Sequence, residues 1–173
     1  DGDTPDISGA DATDGAYGVA EALVITVTFD EAVTVTGTPT ITLSNSDVAS
    51  YTSGSTTTAI VFTTTIAQGD STSSDLSVSS IQPTAGGATM KDGATNDIST
   101  TVTGGDLGTV TVDGAVPVFA SVAADDAAYG VGDVLTITVT WGEAVVTSDG
   151  TLTLSNSDVA AYSSGSGTTA LVF

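Results

Sequence analysis

The feature that most limits the fold of this chain is a strand-like segment that occurs twice. Residues 23–33 read LVITVTFDEAV, and residues 135–145 read LTITVTWGEAV. Because successive side chains of a strand point to opposite faces, Leu23, Ile25 and Val27 share one apolar face, and threonines lie on the other. The segment therefore predicts the same core strand in two copies of one fold.

The repetition extends well beyond this strand. The motif AYGV occurs at residues 16–19 and 128–131, a spacing of 112, and the longer motif LSNSDVA also occurs twice. A repeat of this length can form its own core, and it is far longer than the roughly 20–50 residues of a solenoid unit. We therefore predict one complete repeat at residues 1–112 and the first half of a second at residues 113–173.

The second repeat is predicted to be incomplete within this sequence. Residue 1 coincides with a repeat boundary and residue 173 falls within a predicted strand, so we expect the chain to be part of a longer protein. An incomplete sandwich exposes unpaired strand edges and an apolar face. Either the missing strands follow in sequence, or another subunit supplies them by strand addition.

The remaining pattern predicts an all-β fold. Alternating apolar residues and turn residues predict an edge strand that follows an N-terminal linker, further strands near 22–29, 38–44, 48–53, 58–66, 76–81 and 107–112, turns at 14–18, 30–37 and 45–47, and an Asx-rich loop at 90–97. Seven or so short strands per repeat, rich in Thr and Val and separated by Gly, Asn, Asp and Ser, are typical of an antiparallel sandwich. No segment shows helical periodicity.

The charge balance limits the partners of this chain. The sequence has 21 acidic residues and a single basic one, Lys91, so its formal net charge is -20. Nucleic acids and anionic membranes require a basic surface, and both are therefore excluded as partners. No apolar run is long enough to span a bilayer, so no membrane insertion is expected in this segment. The charge favours cation binding, or a protein that charge keeps soluble.

The residue types that are missing argue against catalysis. There is no cysteine and no histidine, which removes disulfides, thiol nucleophiles, the usual general base and the commonest transition-metal ligand. Acidic loops without a nucleophile motif or a phosphate-binding glycine loop make no recognisable active site. We predict that the chain is not an enzyme.

Several motifs together resemble a known family. After the core strand come Thr-x-Thr-Leu-Ser from Thr40, Tyr-x-Ser-Gly-Ser from Tyr51 and Lys-Asp-x-Ala-x-Asn from Lys91. This set resembles the bacterial immunoglobulin-like repeats of giant surface adhesins and surface-layer proteins. The resemblance covers the whole first repeat and the available part of the second. It implies tandem immunoglobulin-like sandwiches of Greek-key type, located outside the cell or on its surface.

The predicted chain path brings acidic segments together at one end of the sandwich. If the first strand leaves the N-terminal linker, the core strand returns to it, and the loop before the last strand lies there too. Calcium requires six to eight hard oxygen ligands. The predicted ligands of a calcium ion there are Asp1, Asp3, Glu31, Asp92, Asn96 and Asp97, and by the same logic Asp113 and Glu143 begin a second site at the junction between the repeats. Asp30 is left out because Gly142 stands at the equivalent position.

The alternative interpretation of these residues is structural. Glu31 and Glu143 are then exposed turn residues, and the Asx-rich loop supplies only turn hydrogen bonds. Under the calcium hypothesis, by contrast, an ion at each junction makes the linker between repeats rigid. The recurrence of this glutamate in both copies, in a chain that otherwise has almost no glutamate, favours the calcium hypothesis.

The expected function is that of a structural repeat unit in an extracellular surface fibre, adhesin stalk or surface coat, with calcium-stiffened junctions. Its partners are then neighbouring repeats or identical subunits. The alternative is a glycan- or host-surface-binding module, which would need exposed aromatic side chains in loops, and aromatic residues are few here. A further variant is a filament subunit that polymerises by strand complementation.

Overall fold

The computed structural model describes residues 2–173 and confirms the all-β prediction. Fourteen strands are present, and a 3₁₀ turn at Ala85–Gly87 is the one helical element of the described residues. Within that same range, no helix is long and apolar enough to cross a membrane. The chain divides into two compact units, Asp1–Ala115 (unit 1) and Val116–Phe173 (unit 2), and each is described by itself.

Unit 1 is built mainly from one large antiparallel sheet. Its strands are β1 (Ile7–Ala12), β2 (Gly15–Gly18), β3 (Ala22–Thr36), β4 (Thr40–Leu43), β5 (Val48–Ser53), β6 (Thr57–Thr65), β7 (Val78–Gln82), β8 (Thr89–Lys91) and β9 (Val110–Asp113). The order in the sheet is β1-β3-β6-β5-β4-β7, with β8 paired to β3. The pair β2 and β9 is parallel and stands outside the predicted antiparallel arrangement.

The core of unit 1 follows the alternation of β3. The inward residues Leu23, Ile25, Val27 and Phe29 are at most 2% exposed, whereas Val24 on the opposite face is half exposed. Facing strands add their own apolar side chains to this core. The other large, fully buried side chains are those of Phe62, Ile41, Leu43, Ile60, Ile66, Leu76, Met90 and Leu107. The predicted core strand therefore organises unit 1.

The predicted turn at residues 30–37 is largely wrong. Strand β3 continues to Thr36, and its register with β6 shifts between Thr28 and Val33. Such a bulge bends a strand without ending it, so turn-forming residues can be absorbed inside it. Beyond the bulge, Val33 and Val35 are buried, and β8 pairs with the final part of β3. A second apolar alternation thus keeps the chain in the sheet.

Unit 2 contains five strands. They are β10 (Phe119–Ala124), β11 (Ile137–Val145), β12 (Thr151–Thr153), β13 (Val159–Ala161) and β14 (Thr168–Val172). Strands β10, β11 and β14 form one antiparallel sheet, and β12 pairs with β13. An isolated bridge between Ser164 and Val172 follows β13.

The strand pairs of unit 2 repeat those of unit 1 residue by residue. Corresponding pairs are Ile7–Phe29 and Phe119–Trp141, Val27–Ile60 and Val139–Leu171, and Ile41–Ala49 and Leu152–Ala160. The irregularities recur as well, since the register of β11 with β14 shifts between Thr140 and Val145, as that of β3 with β6 does between Thr28 and Val33. The two units therefore share both register and bulges.

Candidate metal site

The Asx-rich loop of unit 1 is closed around one buried carboxylate. The backbone N–H of Asn96 donates to Asp92 Oδ1 at 2.7 Å, and Asn96 Nδ2 donates to Asp92 Oδ2 at 2.7 Å. Thr95 takes a left-handed conformation, with φ of 76°, which reverses the chain between them. Asp92 is 4% exposed and is the one buried charged residue among residues 2–173. The loop thus holds an acidic side chain in a fixed orientation.

The same loop contacts the N-terminal segment. Asn96 Nδ2 also donates to the backbone carbonyl of Asp3 at 2.9 Å. A little further along the two segments, Ser99 N donates to the carbonyl of Pro5 at 2.9 Å. The structure therefore brings the predicted ligands Asp3, Asp92 and Asn96 into one neighbourhood.

The bulge of β3 reaches the N-terminal segment from another side. Asp6 N donates to Asp30 Oδ1 at 2.8 Å, and Asp30 N donates to the carbonyl of Asp6 at 3.1 Å. Glu31 follows immediately and is partly buried. Three separate segments of unit 1 therefore contribute to a single acidic cluster, which consists of Asp3, Asp30, Glu31, Asp92 and Asn96.

The carboxylates of this acidic cluster act on one another. Burial raises the pKa of Glu31, and the negative charges of Asp92, Asp30 and Asp3 raise it further. A carboxylate with a raised pKa is destabilised in its ionised form. A divalent cation placed among these oxygens would offset this repulsion.

The pKa of Asp92 is shifted in the opposite direction. Burial by itself would raise its pKa, but hydrogen bonds from the Asn96 side chain and from the backbone amides of Asn96, Ala94 and Thr95 outweigh burial and lower it. The Asp92 carboxylate therefore stays ionised over the whole neutral range. It supplies the cluster with a permanent negative charge.

Asp97 is turned to a different partner. Its Oδ1 lies 2.6 Å from Lys91 Nζ, and that ammonium also donates to the carbonyl of Thr95 at 3.3 Å. The Asp97 side chain is 77% exposed. The predicted ligand Asp97 is therefore neutralised by the one lysine of the chain.

The residues predicted for the second site lie in different units. Asp113 ends β9, and its Oδ1 accepts a hydrogen bond from Ala115 N at 3.0 Å. Glu143 lies in β11 of unit 2, where its Oε1 and the Nε1 of Trp141 are buried without a hydrogen-bond partner within residues 2–173. The remaining predicted ligand, Asp1, lies outside the described residues.

The acidic cluster has the ligand chemistry of calcium rather than of a transition metal. Its donors are carboxylate, amide and carbonyl oxygens, which suit hard cations. Across residues 2–173, however, no three His, Cys, Asp or Glu side chains are arranged as a formed metal site. Calcium binding at this cluster would therefore require its carboxylates to move closer together.

Asp30 is the member of the cluster that the predicted ligand set left out. The comparison of the two repeats removed it, because Gly142 replaces it in the second copy. Its position directly before Glu31, at the end of the core strand, was the signal that could have retained it.

No protein-family model, curated protein or solved structure matches this chain.

Proposed function

We propose that the chain is a structural repeat module of an extracellular surface fibre, adhesin stalk or surface coat, built from tandem immunoglobulin-like sandwiches of Greek-key type. The observation that carries this proposal is the shared pairing register of units 1 and 2, including the bulge after Thr28 and Thr140. Tandem copies of one fold lengthen a protein without adding new chemistry. The partners of such a module are neighbouring repeats or identical subunits.

The charge of the chain supports this role. A net charge of -20 keeps neighbouring modules from aggregating and gives no basic surface for nucleic acid. The sheet surfaces consist largely of Thr, Ser and Val. The hydroxyl groups of Thr and Ser can hydrogen-bond to water on such surfaces.

Calcium binding at the acidic cluster is the second part of the proposal. Glu31, Asp92, Asn96 and Asp3 supply oxygens from three segments, and Asp1 belongs to the proposed ligand set. The raised pKa of Glu31 supports it, since a cation would relieve the repulsion that causes the shift. Bound calcium would tie the N-terminal segment to the loop and the bulge of unit 1.

Thermal unfolding of the whole chain tests the calcium proposal. We expect 10 mM calcium to stabilise unit 1 relative to a chelator by about 1.4–2.7 kcal/mol, as mass action gives for dissociation constants of about 0.1–1 mM. Glu31→Gln should remove most of this gain. Asp75→Asn removes one exposed charge elsewhere and should keep the gain. An unchanged melting temperature in calcium would leave the acidic cluster as a charged surface only.

The exposed aromatic side chains of unit 2 favour a second candidate function, glycan binding. Phe119 and Tyr129 are 61% and 41% exposed, and exposed rings can stack on sugars. Binding to a glycan array that is lost in Phe119→Ala would support this function. An array without hits would leave the structural role alone.

A further inference from the structure

The N-terminal and C-terminal parts of unit 1 are joined directly by β2 and β9. β2 comes early in the unit, and β9 is its last strand. The two strands pair in parallel, with Gly15 opposite Val110 and Gly18 opposite Asp113. Every other strand pair between the described residues of the unit is antiparallel. The parallel pair therefore connects the two ends of unit 1 without passing through the residues between them.

A side chain extends this pair where β2 begins. The backbone N–H of Thr109 donates to Asp14 Oδ1 at 2.8 Å, and Gly15 N donates to the carbonyl of Thr109 at 3.2 Å. Asp14 directly precedes β2, and Thr109 directly precedes β9. We call β2, β9, Asp14 and Thr109 together the terminal clamp.

The other edge of β9 is also hydrogen-bonded. Leu76 N donates to the carbonyl of Val110 at 3.1 Å, and Val112 N donates to the carbonyl of Ser73 at 2.9 Å. The side chains of Val110 and Val112 are at most 1% exposed. Removing β9 from unit 1 therefore breaks hydrogen bonds along both of its edges and exposes two buried valines to water.

The parallel direction of the clamp strands decides how tension acts on them. In a parallel pair, the N-terminal end of one strand and the C-terminal end of the other lie at opposite ends, and the hydrogen bonds are evenly spaced. Tension between the N-terminal segment and the residues after Asp113 thus pulls β2 and β9 along each other, and their hydrogen bonds share the load. In an antiparallel pair of terminal strands, the same tension would open the bonds one after another.

We propose that the terminal clamp keeps unit 1 folded when the chain is under tension. The inference rests on the proposed function in one respect, since a fibre module is stretched along its chain. While the clamp is closed, the distance between its two strands is fixed. Residues 19–109, which include the core strand β3, lie between these strands in sequence and can extend only after the clamp has opened.

Strand β1 lies ahead of the clamp on the path of tension. It pairs with β3 and connects the N-terminal segment to β2. Its detachment from β3 would lengthen the chain only by the short segment before β2, because the clamp would stay closed. Tension at the N-terminus should therefore produce a short first extension, followed by cooperative opening of unit 1.

Pulling β2 from either of its ends in the complete chain tests the proposal. The sequence has no cysteine, so introduced cysteines define the attachment points for optical tweezers. Thr13→Cys with Ala115→Cys slides the clamp strands along each other, whereas Ala20→Cys with Ala115→Cys opens the pair from one end; all three residues are exposed. At equal constant force in a chelator, the first pair should give a folded lifetime at least about tenfold longer, because several hydrogen bonds must break in one step.

Two aspartates provide a matched comparison. Asp14→Ala removes the bond to Thr109 and should shorten the lifetime of the sliding geometry by about fivefold, as the loss of one hydrogen bond implies. The one-end geometry should change little, since this bond lies at the far end of the pair. Asp106→Ala removes another exposed carboxylate, which accepts a bond from the nearby Gly108 N at 2.9 Å, and should change neither lifetime.

Equal lifetimes for the two pairs of attachment points would overturn the proposal. An effect of Asp14→Ala that is equally large in both geometries would also overturn it, because that result would assign Asp14 to overall stability alone. If Asp14→Ala impairs folding, the comparison of the two geometries with Asp14 in place still decides. The measurement uses the chain by itself in a chelator, so the fibre role and the calcium response can each fail without affecting it.

Discussion

The strand pairs that unit 2 forms have the register of their counterparts in unit 1, yet the two units bury different amounts of apolar surface. Ile25 and its counterpart Ile137 are both buried, at 0% and 4% exposure. At the outer strand, however, Ile7 is 3% exposed, whereas its counterpart Phe119 is 61% exposed. Alternation and bulges therefore set the register of the first strands, and burial depends on the segments that follow them in unit 1.

A second difference concerns strands that exist only with their partners. Residues 15–18 form β2 in unit 1, where β9 pairs with them, but their counterparts at 127–130 are not in a strand. Similarly, β3 continues beyond its bulge to pair with β8, whereas β11 ends at Val145. These strands are products of tertiary pairing rather than of local preference.

Truncating the matched core leucine of each unit should give the largest difference in stability loss between the two units. Leu43→Ala should destabilise unit 1 by about 2–5 kcal/mol, because Leu43 is 1% exposed and the change leaves a cavity. Leu154→Ala should cost less than half of that, since Leu154 is only half buried. Calorimetry measures the two changes, and hydrogen exchange in β4 and β12 assigns each loss to its unit. Equal losses would mean that Leu154 is packed in unit 2 as tightly as Leu43 is in unit 1.

Substitutions at two matched glycines test whether the two units share the same hairpin backbone. Gly54 and Gly165 have φ of 100° and 103°, and an added Cβ would meet the carbonyl oxygens of Ala59 and Ala170. Gly54→Ala and Gly165→Ala should each cost about 1–3 kcal/mol, because both the positive φ and the backbone contact oppose a side chain. Chemical denaturation followed by hydrogen exchange would measure both. A large cost at only one glycine would show that the two hairpins differ despite their register.

The sequence predicted the strands that carry their own apolar alternation. The core segments at residues 23–29 and 137–141 and the repeated hairpin turns at Asn45 and Asn156 required no tertiary information. The continuation of β3 was missed, because Asp30 and Gly37 are typical turn residues and a bulge cannot be distinguished from a turn by residue type. The parallel pairing of β2 with β9 was missed because it joins segments about 95 residues apart.

The acidic cluster was predictable to a similar extent. The order of strands was enough to expect Glu31, Asp3 and Asp92 at one end of unit 1, because antiparallel strands return the chain to its starting end. The partner of Asp97 was not predictable, since Lys91 and Asp97 meet only through the conformation of the loop between them. The repeat comparison also hid Asp30, because Gly142 stands at the equivalent position of unit 2.

The smallest expected effect is the pH dependence caused by Glu31. The folded-state pKa of Glu31 lies above its value in the unfolded chain, so its ionised form disfavours the folded state. This unfavourable contribution is present at neutral pH and disappears as the pH falls through the raised pKa. In a chelator, Glu31→Gln should therefore raise the melting temperature of unit 1 slightly at pH 7, and the difference from the unchanged chain should vanish at acidic pH.

Asp75→Asn serves as the control for net charge, because it removes one exposed carboxylate away from the acidic cluster. If both variants raise the melting temperature equally at pH 7, the gain comes from the net charge of -20 and not from the cluster. A gain that is specific to Glu31→Gln, and that turns into a loss when calcium is added, would connect the repulsion around Glu31 to cation binding. The same carboxylate would then destabilise unit 1 without calcium and stabilise it with calcium, and no such reversal is expected at Asp75.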